Sequence, residues 1–334
     1  MRWFTSYLKG RSQCVRIEDH ISTTLPVLAG VPQGSVLGPT LFNIYINDFQ
    51  YAHTGTSFQY ADDTTILTEN QNFDTLQSNT NRNLLSIYKW LSANLLALNL
   101  LKTVYMLITN KSRANLNLTI KLNNNVLTQV NSYKSLGLII DDKLNFSHHC
   151  KKVCNSLAKI NFMLFRNKYF LDKKSKLLLY YGLAYPHLTY NVALWGNAPA
   201  VYLDRVLISQ KRVIRSIIGD RSVSATASFI DLEILNIRKI YQHQVIVYMF
   251  KIMNDECPAL VCNTISMNQI SHTYNTRGKN DLRTPFCSLA ISQRAFSVQG
   301  PSLWNKIPTT LKDSNCTYKT FSKHLKELFV YSDL

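Results

Sequence analysis

Asp62 and Asp63 stand side by side in "QYADDTTIL" (59–67), a run otherwise rich in apolar and β-branched residues. Two carboxylates on neighbouring residues repel each other, and three uses could justify keeping them. The pair can be a polar turn, because Asp is common in turns. It can hold a hard cation, since Mg2+ takes oxygen ligands and relieves the repulsion. Or it can use such a cation for phosphoryl transfer, where two metals roughly 4 Å apart activate an attacking hydroxyl and stabilise the leaving group. A second group, His148, His149, Cys150 and Cys154, falls within one helical stretch. It is either a set of ordinary helix residues or half of a zinc site; no second ligand pair follows at finger spacing.

The flanking sequence shows what must position the acids. "SFQYADDTTILT" (57–68) reads as a hairpin: Phe58 and Tyr60 alternate on the way in, and Thr64 to Leu67 are β-prone on the way out. Asp62 and Asp63 fall at its turn. Upstream, "QCVRIEDH" (13–20) alternates like a strand. "AGVPQGSVLGPTLFNIYINDF" (29–49) starts as a Gly/Pro-rich loop and continues as a helix, with Pro39 near the first turn where proline is tolerated. Residues 74–98 carry an amphipathic helical pattern, and strands are expected around "TVYMLIT", "LTIKLN" and "LGLIID". From about residue 142 the texture becomes basic amphipathic helix. Val153, Leu157, Ile160 and Leu164 repeat at helical spacing. In "YLDRVLISQKRVIRSIIG", Leu203, Val206, Leu207, Val213, Ile214, Ile217 and Ile218 share one face. Arg205, Lys211, Arg212 and Arg215 lie on the adjoining face, either as a solvated surface or as contacts to a phosphate backbone. Residues 265–334 are polar, but Trp304 and Phe321 imply packing.

Charge separates along the chain in the same way. The net charge is +17, which favours a polyanionic partner such as nucleic acid or an anionic membrane surface. Residues 1–101 hold six Lys/Arg and seven Asp/Glu, a net −1, so 102–334 carries +18. Acid chemistry is expected in the first part and polyanion affinity in the second. No apolar run reaches the roughly 18 residues of a membrane span. Seven scattered cysteines, an odd number, read as reduced thiols of an intracellular protein.

Four motifs then occur in order: "AGVPQGSVLGPTLFNIYINDF", "FQYADDT", "LNLLKTVYM" and "LGLIIDDKL". Together they resemble the reverse transcriptases of non-LTR retrotransposons, closest to jockey-like elements. "WFTSYLKGRSQCV", "YPHLTYNVALWG" and "GPSLWNKIPTTLK" extend the likeness nearly end to end. The resemblance implies an RNA-directed DNA polymerase working on an RNA template and DNA primer with deoxynucleoside triphosphates and Mg2+. It implies an α+β fold: a partial right-hand palm of antiparallel sheet with helices (1–141), an all-helical thumb (142–264) and a small carboxy-terminal segment (265–334). Tyr60, Ala61, Asp62 and Asp63 would be the catalytic hairpin, with Asp62 and Asp63 on the metals. Pro32, Gln33 and Gly34 would line the site for nucleotide and template base. Lys102 would neutralise or protonate the leaving pyrophosphate. Leu136, Gly137 and Leu138 would grip the primer end, and the Arg205–Arg215 cations would follow the hybrid's backbone. Action in the nucleus is implied by retrotransposition.

Against the family, the sequence is expected to lack the first catalytic motif, the fingers and the amino-terminal endonuclease. A Phe-Asp-x-Val motif, expected upstream of "WFTSYL", has no counterpart, and its aspartate is the remaining metal ligand. This points to an amino-terminally truncated reading frame with an exposed sheet edge. Three further readings are kept: an inactive remnant that only binds nucleic acid, an intron maturase sharing the palm, and a membrane-surface protein.

Overall fold

The computed structural model describes residues 2–111, 118–123, 125–219, 224–267, 281–312 and 316–331. The chain divides into two compact units, Met1–Tyr105 with Lys111–Val130, and Met106–Asn110 with Asn131–Leu334.

The first unit is lightly packed. Strand pairs at 12–13 with 25–26 and 16–17 with 20–21 precede the Gly38–Tyr45 helix and a 3-10 turn at Asn47–Ala52. The alternating run 13–20 is therefore a small hairpin and not one strand. Its turn falls at Glu18–Asp19, with Glu18 at φ 53°, because acidic residues suit turns better than strand interiors. The hairpin Thr56–Tyr60 with Asp63–Leu67 follows, then the Phe73–Ala93 helix. Asn72 caps that helix by accepting from the Asp74 and Thr75 amides. Phe49, Ile46 and Ile87 are buried, and a second cluster gathers Ile120, Leu122 and Leu127. Among the described residues the strands form six two-stranded pairs, five antiparallel and one parallel. Helices with small antiparallel sheets fit the expected α+β class; among the described residues the pairs do not join into one continuous sheet.

The second unit is helical around one large core. The Ser147–Arg166 helix packs along Ala200–Ile218. Val153, Leu157, Ile160 and Leu164 are buried at the expected spacing. The Ile237–Met253 helix is apolar on nearly all sides, and it is buried between the Phe296–Asn305 and Tyr318–Tyr331 helices. Phe250 and Phe321 stack at 4.2 Å, and Trp304 lies against Phe321. The expected packing of the carboxy-terminal segment is thus met through Trp304 and Phe321, while its stretch 268–280 lies outside the described residues. The hairpin Ser132–Ser135 with Leu138–Asp141 also belongs to this unit. No helix among the described residues is long and apolar enough to cross a membrane.

One buried polar group ties the helical core together. Gln210 is fully buried; its Nε2 donates to the Tyr180 hydroxyl and the Leu235 carbonyl, each at 3.0 Å. Its Oε1 accepts from the Ile237 amide at 2.8 Å. Three elements therefore share one side chain. Gln210→Leu would keep the volume and strand all three partners. Unfolding in urea should show a loss of about 2–5 kcal/mol, whereas Arg212→Gln on the exposed face of the same helix should change stability little.

Candidate functional site

The acid pair sits at the tip of the 56–67 hairpin. Tyr60 pairs with Asp63, which leaves Ala61 and Asp62 as a two-residue turn. Ala61 is left-handed at φ 51°, as tight hairpin turns require. Asp62 is thus in the turn and Asp63 opens the second strand, rather than both lying in the turn. Both carboxylates are exposed, as are Tyr60 and Ala61. Both outer edges of this hairpin are unpaired among the described residues. Its base is fixed by buried Asn83 on the 73–93 helix, whose Oδ1 accepts from the Thr54 amide at 3.2 Å and its hydroxyl at 3.0 Å. A Cβ on Gly55 would come 2.9 Å from the Leu67 carbonyl, so only glycine lets the strands close there.

The Pro32–Gln33–Gly34 loop is a built turn. Ser35 Oγ donates to the Pro32 carbonyl at 2.7 Å and accepts from the Gly38 amide at 3.0 Å. Gly34 takes φ +76°, a conformation that disfavours side chains even though space is open around it. Gln33 and Gly34 are exposed and Pro32 is half-buried. Lys102 is exposed in a turn whose amide donates to the Asn99 carbonyl at 3.1 Å.

Among the described residues, no three His, Cys, Asp or Glu side chains gather where they could hold a metal ion. Asp62 and Asp63 supply the oxygen donors that Mg2+ takes, and Mg2+ sites commonly use one or two carboxylates with substrate phosphates. The pair fits this ion in kind and falls short of an all-protein cage. Zinc ligands do not converge either. His149 and Cys150 face the core, Cys154 is half-buried and His148 points outward. Burial pushes the Cys150 thiol up to about 12, with Cys154 and Asp141 adding to the shift.

In the second unit, the tip of the 132–141 hairpin is held from three sides. Leu136 at φ 44° and Gly137 at φ +84° make the turn. The Tyr190 hydroxyl donates to the Leu136 carbonyl, and Lys152 Nζ donates to the Gly137 carbonyl at 3.0 Å. His149 Nδ1 accepts from the Ile139 amide at 3.3 Å. Leu136 is 45% exposed, whereas Leu138 is 3% exposed and belongs to the helical core. Asp141 at the hairpin's end accepts from the amides of Lys143, Asn145 and Ser147 at 3.2, 2.8 and 3.1 Å, which starts the next helix. On the 200–218 helix, Leu203, Val206, Val213, Ile214 and Ile217 are buried, and Leu207 and Ile218 are partly so. Arg205, Arg212 and Arg215 are exposed and Lys211 is half-exposed. Tyr190 lies within the quoted segment 185–196 and Lys152 in no quoted motif, but nothing in the sequence gives either this role; they lie 54 and 15 residues from the carbonyls they hold, a proximity only the fold creates.

Residues 1–140 match the family described as reverse transcriptase (RNA-dependent DNA polymerase). The chain is 28% identical over 228 residues to the RNA-directed DNA polymerase from mobile element jockey of Drosophila melanogaster, aligning 64% of this chain with 24% of that protein. It is 32% identical over 227 residues to the jockey polymerase of Drosophila funebris, with the same coverage. It is 31% identical over 226 residues to the probable RNA-directed DNA polymerase from transposon X-element of Drosophila melanogaster, covering 64% of this chain and 24% of that protein. The chain thus spans about a quarter of the length of these relatives. No solved structure matches it.

Burial lowers His149 to about 4, with the Lys152 charge as the smaller cause. The folded chain therefore resists a proton that the unfolded chain accepts near pH 6.5. This stability is present in full above pH 6.5 and is lost as the pH falls towards 4, on the order of 3 kcal/mol. Urea midpoints should fall over that window, and His149→Gln should remove this part of the pH dependence.

Proposed function

We propose that this chain, whose residues 1–140 belong to the reverse transcriptase family and whose relatives include the polymerases of non-LTR retrotransposons, is an RNA-directed DNA polymerase. The observation that carries the reading is the projection of Asp62 and Asp63, exposed and adjacent, from one anchored hairpin within the matched segment. Asp62 and Asp63 would hold Mg2+, which when bound supplies charge stabilisation to nucleotidyl transfer from a deoxynucleoside triphosphate. Tyr60 and Ala61 set the hairpin's tip. The fixed turn at Pro32, Gln33 and Gly34 would receive the nucleotide and template base. Lys102 would neutralise or protonate the leaving pyrophosphate.

Residues 1–141 would serve as palm and 142–264 as thumb, with 265–334 packed on the latter. Leu136 and Gly137 would present the turn that meets the primer end, with Leu138 as its buried anchor. Arg205, Lys211, Arg212 and Arg215 would follow the RNA–DNA hybrid by its phosphates and A-like shape. Action in the nucleus follows if the chain serves retrotransposition.

One observation favours a second reading, a chain that binds nucleic acid without polymerising. No third acid joins Asp62 and Asp63 among the described residues, and positioning dominates this chemistry. Primer extension on an RNA template separates the two. The first reading expects Mg2+-dependent extension that falls at least about 100-fold in Asp62→Ala. Salt-sensitive binding of an RNA–DNA hybrid with no extension by the full chain would select the second.

A further inference from the structure

The corner between the 147–166 helix and the next one, Lys173–Leu179, carries a surface that the polymerase reading leaves unused. Within nine residues Phe162, Phe165, Tyr169 and Phe170 are 64%, 46%, 85% and 86% exposed. Four large rings left in water at one corner are unusual where a core lies one helical turn away at Leu157, Ile160 and Leu164. The corner is nevertheless firmly built. Asn167 Nδ2 donates to the Met163 carbonyl at 2.9 Å, and the Asn167 carbonyl accepts from the Phe170 and Leu171 amides at 3.1 Å. Asp172 then caps the following helix by accepting from the Ser175 amide at 2.9 Å.

Cations are interleaved with the rings. Arg166 lies 6.0 Å from the Phe162 ring centroid; Lys168 lies 5.1 Å from that of Phe165 and 4.6 Å from that of Tyr169. Residues 151–176 hold eight Lys/Arg against one acid, Asp172, whose carboxylate is occupied by the cap. Lys173 is paired with Asp231 at 3.0 Å, and Lys176 is buried. Lys159, Arg166, Lys168 and Lys174 remain exposed at or near the rings. Rings that present π-faces beside cations suit a strand with free bases and a phosphate backbone; a paired duplex shields its base faces.

We propose that the 162–170 corner is a binding surface for single-stranded nucleic acid, with Tyr169 and Phe170 as stacking platforms and Arg166, Lys168 and Lys174 as phosphate contacts. It goes beyond the polymerase reading, since it needs neither the acid pair nor a paired primer.

The test is fluorescence anisotropy of the full chain with a labelled 20-nucleotide oligo(dT), beside an RNA–DNA hybrid and vesicles of phosphatidylserine in phosphatidylcholine. Tyr169→Ala with Phe170→Ala should weaken oligo(dT) binding by about 10-fold or more and leave the hybrid within about 3-fold. These side chains are exposed, so folding should persist. Phe170→Trp should keep the affinity and show fluorescence quenching when oligo(dT) binds. Equal affinity of the Ala variant and the parent for oligo(dT) overturns the proposal, as does binding to vesicles with none to oligo(dT). If the hybrid binds and oligo(dT) does not, only this proposal fails. If oligo(dT) binds through the rings and the hybrid is not bound, the polymerase reading fails and this one stands.

Discussion

A two-stranded hairpin does not hold itself together in water; it needs a surface to fold against. For the 132–141 hairpin that surface is created by one carboxylate. Asp141 closes the strand and at once satisfies three amides of the chain that turns into the 147–166 helix. The Lys143 and Asn145 amides belong to the connecting turn and the Ser147 amide to the helix start, where intrahelical partners are lacking and an anion is favoured. Strand, turn and helix become one piece. From that helix come His149 and Lys152, which reach back to the hairpin's own backbone, and Leu138 is drawn into the helical core. The left-handed Leu136 is sustained because Tyr190, Lys152 and His149 fix the backbone around it.

The hairpin that carries Asp62 and Asp63 is built on the opposite terms. It is anchored at its base, through Thr54 and Asn83, and its strands are mostly exposed on both faces. Phe58, Tyr60 and Leu67 face water on it. The first unit repeats the theme, with Val36, Tyr51 and Leu28 exposed and few residues fully buried. The acid pair thus sits on the more lightly packed unit, and the Arg205–Arg215 basic face sits on the unit with the large core.

Much of this was legible beforehand, for identifiable reasons. The 56–67 hairpin followed from β-prone runs meeting at acidic residues, and the faces of the 147–166 and 200–218 helices followed from a 3.6-residue period. Such signals are local and repeat along the chain. The turn at Glu18–Asp19 was hidden because an alternating pattern looks the same in one strand and in two strands folded back. Sheet assembly was not legible, since strand pairing depends on partners far away in sequence. The same holds for Tyr190, Lys152 and Gln210, whose roles come from contacts across tens of residues. His149 and Cys150 looked like half a metal site because type and spacing match; burial, invisible in a sequence, gives them to the core and to the Ile139 amide instead.

The arrangement also says how binding and chemistry relate. Mg2+ sheds its waters reluctantly and prefers six oxygens, so two exposed carboxylates at a hairpin tip hold it weakly alone. In the proposed function substrate phosphates would complete the set, which would couple metal affinity at Asp62 and Asp63 to nucleotide affinity. The second unit faces no such coupling. Its cations would need only a polyanion, each contact adding to affinity by releasing counterions. Under the proposed function grip would therefore persist where chemistry fails, but chemistry would not proceed where grip is lost. Substitutions in the acid pair should separate the two functions cleanly, whereas damage to the Asp141 junction, which carries both the hairpin and the start of the basic helix, should weaken them together.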